Sequence, residues 1–444
     1  MNLRPLLLLP LLAPALVTSY VDSAQAVGPT CAGRPATIVG HGQGGLVGTA
    51  GDDVMITGGA QVVGTRGGDD LVCITARGDR LTTQISTGAG DDRVLNRAGR
   101  VVQVDLGSGS DTYVGGSRKD DVFAGDDSEG SRDDRDVIST GGGPDSVSSG
   151  APYGGLVDDI DLGPGRDDLY LANRVAGEGA RFVGGRDSDQ LLLYGPLPDQ
   201  VVPGPPDPLG GAEWLVTNTA ATGTATADGV PTLSWDGFER FAMNAEVGSF
   251  RFIGSARNET VESYKIDGAQ MGGGDDVVLT HVAPLPGTFD GGPGRDFADI
   301  GVCQGTATAD LARDTYRCTT DEATSASTIP GVEDLAVIAQ RAVLRGSDAP
   351  EKLVAEACGG SVRGFGGDDR LRSRTFPQEG GWPLPDCPVP VNGVVALTGG
   401  PGDDTLYGRW GPDRLIGGTG DDRAYGANGR DTCRAELELG CELS

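Results

Sequence analysis

GGPGDDTLY (399–407), GRWGPDRLI (408–416), GGTGDDRAY (417–425) and GANGRDTCR (426–434) follow one another without a gap. In each nonapeptide a glycine, Gly402, Gly411, Gly420 or Gly429, stands two residues before an aspartate, Asp404, Asp413, Asp422 or Asp431. An apolar or small residue, Leu406, Leu415, Ala424 or Cys433, follows two residues after it. Glycine supplies the positive φ angles of a tight turn and lets backbone carbonyls approach closely. The x-apolar-x tail reads as a short strand with one inward side chain. Alternating turn and strand with a period of nine predicts a solenoid whose coils each use two nonapeptides. Asp404 is then expected over Asp422, and Asp413 over Asp431.

Carboxylates stacked so closely repel one another unless a cation lies between them. Aspartate oxygens together with converging carbonyls are the hard ligands that calcium takes, six to eight at about 2.3 to 2.6 Å. The spacing G-G-x-G-x-D-x-U-x, with U apolar, resembles the calcium-binding nonapeptide of the RTX, or hemolysin-type, repeat family. Cys31-Ala-Gly-Arg-Pro-Ala-Thr-Ile-Val-Gly40, leading into GTAGDDVMITGG and GGDDLVC, is similar to the start of exported members of that family. The resemblance implies calcium at the sixth-position aspartates and an all-β fold, a parallel β-roll or β-helix solenoid. It implies no lytic activity, because no repeat-free effector segment accompanies the repeats.

The same template finds upstream aspartates at Asp53, Asp70, Asp92, Asp111, Asp145, Asp167, Asp276, Asp296 and Asp369. It also finds Asp120 and Asp189, whose minus-two residues are Arg118 and Asp187 instead of glycine, so these two rank lowest. Spacing between Asp53 and Asp189 is mostly wider than nine. One glycine-aspartate turn per coil is therefore expected there, with an irregular loop such as 96–100 or 176–180 opposite it.

A longer repeat occupies the middle. GTATAD occurs at 223–228 and 305–310, GFERFA at 237–242 answers GVEDLA at 331–336, GSARNETV at 254–261 answers GSDAPEKL at 346–353, and GGGDDVV is echoed by FGGDDRL. The first offset is shorter than the others by about a dozen residues, which places an insertion near Cys318 in the second copy. The expected organisation is a signal peptide at 1–26, a degenerate repeat solenoid at 27–195, the duplicated segments at 196–300 and 301–395, and the terminal repeats with a cysteine-containing cap at 396–444.

The leader expectation rests on Arg4, the apolar run 6–17 and Ala24-Gln-Ala26, which together read as a cleavable export signal. Export favours disulfides for the eight cysteines, and pairing neighbours along the chain gives Cys31 with Cys73, Cys303 with Cys318, Cys358 with Cys387 and Cys433 with Cys441. A formal charge of −29, from 64 acidic against 35 basic residues, argues against nucleic acid and anionic membranes as partners. His41 and His281 stand far apart, and no nucleophile elbow, phosphate loop or zinc signature appears. The expectation is a secreted, non-enzymatic calcium-binding rod with a structural, adhesive or matrix role, its partners being calcium and extracellular glycans or cell-surface components. The alternative is a calcium-dependent polysaccharide lyase or epimerase working on a coil face. Tyr153, Trp214, Trp235, Trp382 and Trp410 are the aromatic candidates for contact, with a structural role the commoner use of such rings.

Overall fold

The computed structural model describes residues 28–75, 82–125, 134–150, 156–172, 175–194, 212–219, 222–244, 249–282, 287–374 and 394–442. The expected leader, the proline-rich stretch 196–208, Tyr153, Trp382 and Cys387 lie outside them. Among the described residues there is no α-helix, only strands, up to the 14 residues of Phe297–Asp310, and one 3-10 turn at Leu311–Arg313.

The chain winds as a right-through stack of parallel strands. Val54–Ile56 pairs in parallel with Leu71–Ile74, that with Arg93–Asn96, and so on through Thr112–Gly116, Val137–Gly141, Asp159–Asp161 and Arg181–Val183. A second sheet runs beside it, from Thr83–Ser86 through Val102–Asp105, Asp120–Phe123, Ser146–Ser149 and Asp168–Leu171 to Gln190–Tyr194. Gln190–Tyr194 pairs onward with Arg240–Asn244, so the stack continues across the segment between them.

Alternation along each strand decides what is inside. In Arg370–Arg374 the burial runs exposed, buried, exposed, buried, exposed, with Leu371 and Ser373 inward. The inward column is Leu353, Leu371, Leu406, Ala424 in one sheet and Val362, Leu397, Leu415, Cys433 in the other, all fully buried. Rings fill the middle of the stack, where Trp214, Phe238, Phe250, Phe252 and Phe289 are enclosed. Trp214 and Trp235, at 1% and 3% exposure, are therefore core residues and not contact aromatics, whereas Trp410 at 72% exposure faces solvent.

The two GTATAD copies both lie in antiparallel meanders that interrupt the parallel stack. Glu213–Asn218, Thr222–Ala227 and Val230–Asp236 form the first, and Phe297–Asp310, Thr315–Thr319 and Thr324–Thr328 the second. After the first GTATAD the chain returns through a two-residue turn at Asp228–Gly229. After the second it adds the strand Thr315–Thr319, which carries Cys318 bonded to Cys303. The division drawn after residue 300 falls inside Phe297–Asp310, one unbroken strand, because that strand runs on round a corner to pair with Asp334–Arg345 along both of its halves.

Disulfides hold the two ends. Cys31 bonds Cys73 and brings a small hairpin over the outer face of the first sheet, where Val54, Ile56, Leu71 and Leu95 form a second apolar cluster. Cys433 bonds Cys441 at the last coil. Cys358 is disulfide-bonded as well.

Candidate metal columns

Each coil turns a corner just before a strand, and the residue at that corner is an acid. At the first corner Asp53, Asp70, Asp92, Asp111, Asp136 and Asp158 stack in order. The backbone amide of each donates to the carboxylate Oδ1 of the next at 2.7, 2.8, 2.7, 2.8 and 3.0 Å, over steps of 17 to 25 residues. At the second corner the same link joins Asp120 to Asp145, Asp145 to Asp167, and Asp167 to Asp189. Asp189 then donates to Glu239.

Further along the second corner the link joins Glu259, Asp276, Asp296 and Glu333, and then Glu351, Asp369, Asp404, Asp422 and Glu436. A third, short column at the C-terminal end joins Asp413, Asp431 and Glu442. Asp404 thus lies over Asp422 and Asp413 over Asp431.

The second-corner column is divided into three segments built on one plan. The first acid of each accepts from the residue four before it: Asp120 from the Gly116 N–H at 3.3 Å, Glu259 from the Ser255 N–H and hydroxyl, and Glu351 from the Ser347 N–H and hydroxyl. Asp53 opens the first-corner column in the same way, accepting from the Thr49 N–H at 2.7 Å and from the Thr49 and Thr37 hydroxyls. Asp413 accepts from the Arg409 N–H at 2.6 Å. Each second-corner segment closes with a glutamate, Glu239, Glu333 or Glu436, whose extra methylene reaches the last aspartate amide. Among the described residues no amide-to-carboxylate link joins Glu239 to Glu259 or Glu333 to Glu351; instead Arg257 pairs with Glu239 at 2.7 Å.

Between these ends one carboxylate oxygen is used and the other is not. The Oδ2 atoms of Asp111, Asp167, Asp189, Asp276, Asp296 and Asp431 are buried without a hydrogen-bond partner, and those of Asp70, Asp92 and Asp145 have only a nearby threonine, Thr65, Thr87 or Thr140. A buried charge that is neither paired nor hydrogen-bonded is costly, so the group holds its proton instead. Burial, reinforced by neighbouring carboxylates, raises Asp111, Asp167, Asp189 and Asp276 to about 7 and Asp369 to about 8. Burial likewise lifts Asp92, Asp145, Asp296, Asp404 and Asp413 to about 6. Asp53 behaves oppositely: burial alone would raise it, but the Thr49 and Thr37 donors outweigh that and lower it.

The glycines fit the same geometry. A Cβ on Gly399 would lie 2.1 Å from Asp404 Oδ2, and one on Gly417 2.3 Å from Asp422 Oδ2, so the first glycine of a nonapeptide makes room for the carboxylate. The fourth stacks on the turn below: a Cβ on Gly402 would lie 2.0 Å from the Gly367 carbonyl oxygen, on Gly420 2.0 Å from that of Gly402, and on Gly429 2.3 Å from that of Gly411. Gly402, Gly411 and Gly420 all have positive φ, 138°, 113° and 143°. Among the described residues no three Asp, Glu, His or Cys side chains converge on one point. A cation here would take the unused Asp oxygens together with turn carbonyls, a donor set of hard oxygens that suits calcium.

Of the aspartates expected from sequence, all stand in these columns, and so do the low-ranked Asp120 and Asp189, each with no measurable exposure. The expectation of one acidic turn per coil up to Asp189 is corrected for three coils, those with Asp111 and Asp120, Asp136 and Asp145, and Asp158 and Asp167, which have an acid at both corners. Asp136, Asp158, Glu239, Glu259, Glu333 and Glu351 escaped the glycine-based template. Their signal was an acid two residues before a buried apolar side chain: Ile138, Ile160, Phe241, Val261, Leu335 and Leu353.

No curated protein matches the chain. RTX nonapeptide repeats bind calcium, which agrees with the oxygen-rich corners. Residues 398–433, the segment where two acidic columns run side by side, match the family model of the RTX calcium-binding nonapeptide repeat in four copies.

Proposed function

We propose that this chain is an exported, non-enzymatic solenoid in which calcium neutralises the acidic columns, drives folding and stiffens a rod with a structural, adhesive or matrix role. The observation that carries the reading is the run of buried aspartates with one oxygen hydrogen-bonded to the adjacent rung and the other without a partner. Calcium supplies positive charge to those oxygens when bound. The chain itself supplies the spacing through amide-to-carboxylate links, the carbonyls through its glycine turns, and dryness through the aliphatic column beneath.

With free calcium about ten times the dissociation constant, each site adds RT ln 11, roughly 1.4 kcal/mol, to the folded state. Several such sites are comparable to the net stability of a typical domain, about 5 to 15 kcal/mol. Binding and folding are then one process. The test is circular dichroism of the purified mature chain during chelation and calcium return, with N-terminal sequencing of the exported product. Reversible loss of the β spectrum and a start near residue 27 are expected; a spectrum indifferent to calcium overturns the reading.

One observation favours a second reading, catalysis on a polysaccharide. On the outer face of the second sheet His281 Nε2 lies 3.0 Å from Glu262 Oε1, and Asp299 on the adjacent strand is raised by burial and by Glu356. Uronate polymers incubated with the folded chain are expected to show no new reducing ends and no unsaturated product.

A further inference from the structure

Charge is sorted by position in the C-terminal coils: acids fill the corners, while bases line the outer sheet faces. The strand Arg370–Arg374 reads Arg-Leu-Arg-Ser-Arg, and every outward residue is an arginine. Lys352 stands beside Arg370 on the preceding rung, and Arg423 follows two rungs on, beyond Thr405. In the next column Arg372 lies beside Tyr407 with its guanidinium 5.8 Å from the ring centroid, and Tyr407 stacks on Tyr425 at 4.9 Å with the rings 8° apart.

The nearby acids are already engaged. Glu356 pairs with Arg374 at 3.2 Å, and Asp334 with Arg295 at 2.8 Å. Among the described residues no carboxylate side chain pairs with Lys352, Arg370, Arg372 or Arg423. Like charges on neighbouring rungs oppose folding. A chain with 64 acids and a net charge of −29 has ample means to place a complementary side chain there, and has not done so.

We propose that this face binds an acidic polysaccharide, one carrying carboxylate or sulfate on successive sugar rings, with the polymer running across the rungs. Rungs repeat at about 4.7 to 4.9 Å, close to the advance per ring of an extended pyranoside chain. An extended acidic peptide presents same-side groups only every second residue, about 6.6 to 6.8 Å, and falls out of step with the cations. The arginines supply planar forks that hold carboxylate or sulfate through two hydrogen bonds. The proposal names a partner for the adhesive role above and rests on that reading.

The experiment is calorimetric titration of the calcium-loaded full chain with chondroitin sulfate oligosaccharides, with dextran and poly-glutamate in parallel. The variants are Arg370→Gln/Arg372→Gln/Arg423→Gln and, on the other outer face, Arg345→Gln/Arg363→Gln/Arg414→Gln. Calcium stoichiometry and circular dichroism report the fold of each. Binding of the sulfated sugar, falling with added salt, weakened at least tenfold by the first triple substitution and unchanged by the second, is the expected result. Equal loss in both variants, no loss in the first, or displacement of the sugar by poly-glutamate overturns the proposal. A chain that folds with calcium but takes up no sulfated sugar overturns the partner alone and leaves the calcium scaffold standing.

Discussion

The backbone amide of Asp404 donates to the carboxylate of Asp422 at 2.9 Å, across 18 residues of chain. One side chain therefore performs two tasks, an acceptor for the rung beside it and a charge offered to a cation. Asp422→Asn keeps an acceptor oxygen and loses the charge, whereas Asp422→Ala loses both. Both are expected to lower the calcium stoichiometry measured by calorimetry. Only the alanine variant also leaves the Asp404 amide unpaired, which costs about 1 to 3 kcal/mol in urea unfolding with calcium present. Asp187→Ala, outside the columns, should leave stoichiometry unchanged.

The first glycine of the third nonapeptide gives a sharper steric test. An added methyl at Gly417 would sit 2.3 Å from Asp422 Oδ2 and displace it. Gly417→Ala should lose roughly 1 to 3 kcal/mol by overpacking and bind calcium more weakly. At Gly44 a Cβ meets nothing within 4 Å. Gly44→Ala should stay within about 0.5 kcal/mol of the parent, as surface changes usually do. Equal melting curves for the two variants would contradict the packing of carboxylate against glycine.

The raised carboxyl groups set a pH dependence of opposite sign to ordinary acid denaturation. Asp276 at about 7 and Asp369 at about 8 hold protons more tightly in the metal-free folded chain than in the unfolded one. Their contribution is fully present below the unfolded value near 4 and disappears as pH rises through 7 to 8. The dialysed, metal-free chain should therefore keep more of its β-type circular dichroism at pH 5 than at pH 8. Calcium competes with those protons, so its effect on the melting temperature should be larger at pH 8. A metal-free chain most stable at pH 8 would refute this assignment.

The disulfides at the two ends close loops of different length. Cys31–Cys73 spans 42 residues and Cys433–Cys441 spans 8, and loop-closure entropy assigns them about 4 and about 2.6 kcal/mol. Replacing Cys31 and Cys73 by serine should lower the urea midpoint more than replacing Cys433 and Cys441. Hydrogen exchange should place the added opening in the coils of residues 54–74 in the first variant and in the last coil in the second.

Sequence alone made the C-terminal coils legible, because nine-residue spacing, glycine position and the inward apolar residue all agree there. Asp404 over Asp422 followed from period alone. Upstream the corners keep the acid but drop the glycine, as at Asp136 and Glu239, and a glycine-weighted pattern passes over them. The three-segment plan was also hidden, since Ser255 and Ser347 show their function only once each is seen four residues before the glutamate whose carboxylate it holds. Trp214 and Trp235 could not be told from contact residues, because in an alternating strand one register step decides between core and solvent. Charge sorting between corners and faces requires strand register, which composition does not contain.

The two places where amide-to-carboxylate continuity stops, between Glu239 and Glu259 and between Glu333 and Glu351, are still bridged by parallel strand pairing, Arg240–Asn244 with Thr260–Ser263 and Asp334–Arg345 with Lys352–Arg363. Loss of a cation should therefore propagate along a column only as far as such a joint, while the strand ladder carries the stack across it.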